Sequence, residues 1–357
     1  MPPLNKAPSP PAAATPISLA LQGGGAHGAF AWGVIDRLLE DGRLEIKAIT
    51  GASAGAMNAV VTAAGLAEGG AAGARAKLEA FWRAVSDASG APFGKSGMWT
   101  DVFAGWLRAT PGWRAAESWA QNFSTGFSPY DFNPFNFNPL RDAISGVVDF
   151  AVLRERSPVK LYVSATAVRT GQLKVFRTGG LTVEHLLASA CLPQLFQAVE
   201  IDGEPYWDGG FLANPALWPL FYDETPSDIL IVNLNPFVRS QTPKTPAQIL
   251  DRLNEITFNA PLTAELRAVF FVDKLIEQGM LTAKARKAYR RMLVHGIGAD
   301  RWLQDLSADT KFNTDWSFLS DLKERGRRAA GAWLKDGLAD VGVRSSADLR
   351  AEYLTSA

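Results

Sequence analysis

Cysteine is almost missing from this chain. With Cys191 alone no internal disulfide can form, and the scarcity suits a reducing compartment. Histidine is nearly as scarce, at three residues. No Cys/His cluster has metal-ligand spacing, and there is no HExxH or EF-hand loop, so no metal or other cofactor is expected. An excess of charge is missing too: 36 Lys plus Arg balance 36 Asp plus Glu at a pI of about 6.9, unlike a nucleic-acid binder. No apolar run reaches the roughly 18 residues that a membrane-spanning helix needs. Residues 1–15 are rich in Pro and Ala, lack the apolar centre of a signal peptide, and read as a disordered leader. No repeat recurs at a fixed period. These absences leave a cytoplasmic globular protein as the expectation, with 357 residues for one large domain or two ordinary ones.

What is present is an alternation. Apolar runs over 17–21, 46–50, 159–168, 172–178, 228–236 and 291–297 read as strands. Helix-like stretches fall between them, over 26–39, 56–67, 74–87, 182–190, 246–258 and 262–279. Strands alternating with helices predict an α/β fold with a mainly parallel sheet.

Two glycine motifs carry the chemistry. The run GGGAHG (23–28) follows the first strand and opens a helix, a place where bare backbone N–H groups serve as a phosphate cradle or an oxyanion hole. GASAG (51–55) fits G-x-S-x-G between a strand and a helix, the setting of a nucleophile elbow that lifts Ser53 to the sheet's edge. The distance from Gly25 to Ser53 leaves room for one helix and one returning strand, so both motifs open on the same edge. Together they compose an acyl-transfer site, with the loop holding the oxyanion while Ser53 attacks. GGGAHG also satisfies the dinucleotide pattern G-x-G-x-x-G. However, the next strand ends in Thr50 and Gly51 rather than the acidic residue that would hold a ribose.

Two side chains are candidates for the base that activates Ser53. The order Ser53, Asp208, His295 is that of a Ser–His–Asp esterase, although RMLVHGI places His295 inside a strand rather than on a loop. Asp208, in YWDGGF, sits among apolar and aromatic neighbours that would bury it and raise its pKa.

Four blocks in order, GGGAHG (23–28), GASAG (51–55), ASACLPQLF (188–196) and DGG (208–210), make the chain similar to the patatin-like phospholipases over roughly residues 17–240. The resemblance implies a three-layer α/β/α fold and a lipid acyl hydrolase that cleaves carboxylic esters of phospholipids and other lipids. It makes Ser53 the nucleophile, Asp208 its general base and Gly23, Gly24 and Gly25 the oxyanion hole, with Gly28, Gly51, Gly55, Gly209 and Gly210 completing the motifs. His27 stands where the family usually has Arg or Lys, a titratable group in place of a permanent cation. A Ser–His–Asp esterase using His295 and a non-catalytic regulatory member of the fold stay open as alternatives.

The resemblance divides the chain into a catalytic domain over 16–240 and a mostly helical C-terminal extension over 241–357. Within the first, residues 97–140 carry 11 aromatics in 44 positions. They read equally as a lid or acyl-chain channel with a peripheral membrane face and as a packing layer. Pro129, Pro134 and Pro139 recur there among asparagines, as in an extended arm of the kind that crosses between the subunits of a homodimer.

Overall fold

The structure is a computed structural model that describes residues 14–90, 128–239, 241–299, 301–306 and 308–347. The leader up to residue 13 and positions 97–127 of the aromatic segment lie outside the described residues.

Among the described residues eight strands form one sheet: β1 (Thr15–Leu21), β2 (Leu44–Gly51), β3 (Lys160–Ala167), β4 (Gln172–Arg177), β5 (Val199–Ile201), β6 (Glu204–Asp208), β7 (Asp228–Asn233) and β8 (Leu293–Gly298). Their order is β5-β6-β3-β2-β1-β7-β8, with β4 also paired to β3. The run β3-β2-β1-β7-β8 is parallel, and β4, β5 and β6 add antiparallel pairs at one side. The fold is therefore α/β with a mainly parallel sheet, and β8 from the C-terminal part completes that sheet beside β7.

Alternation along the buried strands makes two cores, because successive side chains point to opposite faces. Leu19 and Leu21 of β1 and Leu230 and Val232 of β7 belong to one. Ala20, Ile229 and Ile231 belong to the other. The first face is covered by α1 (Gly28–Asp41), by α2 (Ala54–Gly90, broken at Gly69 and Gly70) and by the last long helix. The second face takes Leu262, Leu266 and Val269 from the 246–277 helix. Three layers result. Each fully buried aliphatic side chain contributes roughly 1.5–3 kcal/mol.

Two local expectations give way to packing. The helices predicted over 246–258 and 262–279 are one helix, Pro246–Glu277, running through Pro261. Burial of Leu262 and Leu266 against the sheet outweighs the roughly 3 kcal/mol that an interior proline costs. The Pro- and Asn-punctuated stretch is no extended arm. The Asn133 side chain accepts the Phe137 N–H at 2.8 Å and donates to the Phe137 carbonyl at 3.0 Å, closing a loop between the short helices Pro129–Phe132 and Pro139–Ser145.

Helix Val183–Ser189, which carries Ser189, is α3, Pro246–Glu277 is α4 and Trp316–Asp336 is α5. Helix α5 is fastened to the first face by charge: Asp36 on α1, almost fully buried, takes Arg75 of α2 at 2.8 Å and Arg327 of α5.

Candidate active site

Strand register builds the site. Leu21, at the end of β1, lies beside Gly51 of β2 and Val232 of β7, so the chain leaves all three strands at one level. Gly23–Gly25 follow β1, Ala52 and Ser53 follow β2, and Asn235 follows β7. Beyond Val163, which pairs with Gly51, strand β3 continues to Ala165, opposite Asp208 of β6. The motifs expected to share an edge do so.

Ser53 sits on the turn into α2 with φ at +53°, in the left-handed region that costs a non-glycine residue roughly 1–2 kcal/mol. The elbow persists because its surroundings fix it. The Ser53 N–H donates to Ser189 Oγ at 3.0 Å, and its carbonyl accepts the Met57 N–H at 3.1 Å. Small neighbours are required: a Cβ on Gly55 would stand 2.2 Å from the Leu21 carbonyl oxygen, and one on Gly23 would stand 2.7 Å from Ser53 Cβ. Gly51 and Gly28 likewise lie too close to α2 for a side chain.

Asp208 is 1% exposed. Its N–H donates to the Cys191 carbonyl at 2.8 Å, and its own carbonyl accepts the Thr166 hydroxyl at 2.8 Å. One carboxylate oxygen accepts the Gly210 N–H at 2.7 Å, and the Ser53 side chain is close enough to the carboxylate to favour its charged form. Burial pushes the Asp208 pKa up to about 7, against the lowering pull of the Gly210 N–H and the Ser53 side chain. Gly209 lets the turn pass the Ser164 carbonyl, and Gly210 lies against Phe258 of α4. The ASACLPQLF block thus braces both members of the pair, Ser189 holding the elbow and Cys191 holding the aspartate. Burial also pushes the Cys191 thiol up to about 12, which leaves it inert.

The glycine loop is held from behind. The Gly23 N–H donates to Asn214 Oδ1 at 2.6 Å. Gln22 Oε1 accepts the N–H groups of Leu234 at 2.8 Å and Asn235 at 3.0 Å, while its Nε2 donates to Asn259 Oδ1 at 3.0 Å. Sequence reading missed these residues. Gln22, Asn214 and Asn235 do carry a signal, each a polar residue interrupting an apolar run beside a glycine motif or a strand end. Asn259 lies inside a helix and carries none.

His27 is buried and shares a hydrogen bond between Nε2 and Thr310 Oγ1 at 2.7 Å. His295 is not brought to Ser53. It lies within β8, with Nε2 3.0 Å from Asp228 Oδ1 and Nδ1 2.9 Å from Ser346 Oγ. Among the described residues no group of three or more His, Cys, Asp or Glu side chains could hold a metal ion, and no helix is long and apolar enough to cross a membrane.

A layered α/β fold with a serine on a strand–turn–helix elbow is the architecture of a serine hydrolase. The chain matches the patatin-like phospholipase family over residues 19–221, more than half its length, and belongs to that family of serine hydrolases acting on lipid esters. Among solved structures it is similar to VipD from Legionella pneumophila, with 18% identity and a TM-score of 0.42, covering 89% of this chain and 66% of that one. It is also similar to the complex of full-length SpcU with full-length ExoU from the type III secretion system of Pseudomonas aeruginosa, with 15% identity, a TM-score of 0.31, and coverage of 89% and 53%. The chain spans less than two thirds of either of those chains. No curated protein matches it.

Proposed function

We propose that this protein is a lipid acyl hydrolase that cleaves carboxylic esters through a Ser53–Asp208 dyad and an acyl-enzyme. The observation that carries the reading is the pair itself: a serine on a strained backbone beside a fully buried carboxylate whose pKa burial pushes up to about 7. A base poised near neutrality both accepts a proton and returns it readily. Asp208 takes the Ser53 proton as Oγ attacks the ester carbonyl, then passes it to the departing alkoxide. Water next attacks the acyl-enzyme with Asp208 again as base, and Ser53 regains its proton. The oxyanion donors are the N–H groups of Gly24 and Gly25, because the Gly23 N–H is committed to Asn214. The substrate is a lipid ester, as membership of the patatin-like phospholipase family supports.

Hydrolysis of p-nitrophenyl esters from C4 to C16, together with labelling by a fluorophosphonate, tests the reading. Expected are turnover and labelling in the wild type, loss of both in Ser53→Ala, and loss of turnover in Asp208→Ala. An active Asp208→Ala variant, or a wild type that is neither labelled nor active, would overturn it.

A further inference from the structure

The polar network behind the glycine loop includes a lysine from the C-terminal part of the chain. Lys311 lies in the 3-10 turn Ala308–Phe312, directly against the loop: a Cβ on Gly25 would stand 2.4 Å from the Lys311 carbonyl oxygen. Its Nζ donates to Asn235 Oδ1 at 2.8 Å. An ammonium only donates, so the Asn235 atom facing it is the oxygen, and the amide NH2 points the other way. There Nδ2 meets two acceptors, the Gly23 carbonyl at 3.3 Å and Gln22 Oε1 at 3.5 Å. The Gly23 carbonyl and the Gly24 N–H belong to one peptide group. The order is therefore ammonium, Asn235 amide, Gly23–Gly24 peptide, with every dipole turned in the same sense from Lys311 to the Gly24 N–H.

Hydrogen bonds in such a chain polarise one another, and a charged donor at its head strengthens each link. We propose that Lys311 is a positioning residue for hydrolysis, acting through Asn235 to strengthen the Gly24 N–H as a donor to the oxyanion. This rests on the Ser53–Asp208 reading. Negative charge on the carbonyl oxygen grows only toward the transition state, so the effect falls on kcat and spares KM. The relay works only while the ammonium is charged. Burial lowers the Lys311 pKa from its ordinary 10.5, the carboxylates of Glu255 and Asp251 pull it back up, and the Arg239 guanidinium pushes it down. His27 adjoins the same turn through Thr310.

The test is turnover of p-nitrophenyl butyrate by the full chain, counted per site titrated to completion with fluorophosphonate and corrected with Ser53→Ala. Lys311→Met and Lys311→Gln are expected to lose roughly 10- to 100-fold in kcat with KM within about threefold. Lys311→Arg is expected to recover part of the loss. Asn235→Leu added to Lys311→Met should cost little more, because the relay is already broken. Wild-type kcat should fall on the alkaline side below the ordinary lysine pKa, a limb that both neutral variants lack. Neutral variants with wild-type kcat per site would overturn the relay. So would a wild-type profile that stays flat up to pH 10.5, a measurement that decides the matter even if the variants fail to fold. A wild type without labelling or turnover overturns the dyad reading instead, which separates the two failures.

Discussion

Ser53 with Asp208, and Ser346 with His295 and Asp228, are two serine–aspartate clusters built on one sheet. By residue type the second is closer to a Ser–His–Asp triad, since His295 bonds both partners at 2.9 and 3.0 Å. Its groups are satisfied, however. Asp228 Oδ1 also accepts the Gly342 N–H at 2.7 Å, so the cluster fastens the chain around 342–346 to β7 and β8. At the first cluster the same residue types are held at a cost: Ser53 in a left-handed backbone, and Asp208 where burial raises its pKa to about 7. A glycine loop stands against the Ser53 Cβ, and no comparable loop is part of the 342–346 clasp. What separates a site from a clasp is the strained serine backbone and the glycine loop beside it, not the identity of the residues or their burial, since His295 and Asp228 are buried too.

Variants break this comparison at either end. The largest effect expected is in turnover: Ser53→Ala should lose on the order of 10⁴-fold or more, while Ser346→Ala stays within about twofold. Comparable losses in both would mean that the clusters are mislabelled. Next is stability. His295→Leu should cost about 2–4 kcal/mol in chemical denaturation, by stripping a buried hydrogen-bonded group, yet keep kcat per titrated site.

The pH dependence sharpens the contrast further. With Asp208 as the proposed base, kcat/KM should fall roughly tenfold per pH unit below about 7 and level off above it. Stability should move the opposite way. A carboxyl whose folded pKa is raised keeps its proton longer in the folded state, so its contribution is complete near pH 4 and declines as pH rises to about 7. Glu265, pushed up to about 7 by burial, has the same sign. Asp208→Asn should therefore be inactive but more stable than wild type at pH 8, by on the order of 1–3 kcal/mol, with the difference gone near pH 4. Thermal melts at the two pH values check this, and a destabilised Asn variant at pH 8 would refute it. The smallest effect belongs to Ser189→Ala, which frees the Ser53 N–H; kcat should fall roughly tenfold or less with KM unchanged.

Much of the fold was legible. The apolar run over 17–21 and the strand–glycine–helix transitions at 23–28 and 51–55 appear as β1, β2 and the starts of α1 and α2. A short buried strand followed by glycine allows few other arrangements. Less legible was the unbroken path of α4 through Pro261, because local propensity marks a break that sheet packing overrides. Of the site, Ser53, Asp208 and the glycines stand out in short motifs. The supports do not: Ser189 is one serine in an apolar block, and Lys311 lies more than 280 residues from the loop it touches.

The sequence by itself determined the serine turn and the glycine loop, because a sharp strand–turn–helix elbow and a bare-backbone loop need particular small residues at fixed spacing, and local sterics write that need into adjacent positions. The tertiary structure alone decided which aspartate lies beside Ser53, which histidine is withdrawn into a clasp, and which lysine lies behind the glycine loop. Those outcomes depend on strand order, register and burial, which sum contacts between residues distant in the chain and leave no local trace in it.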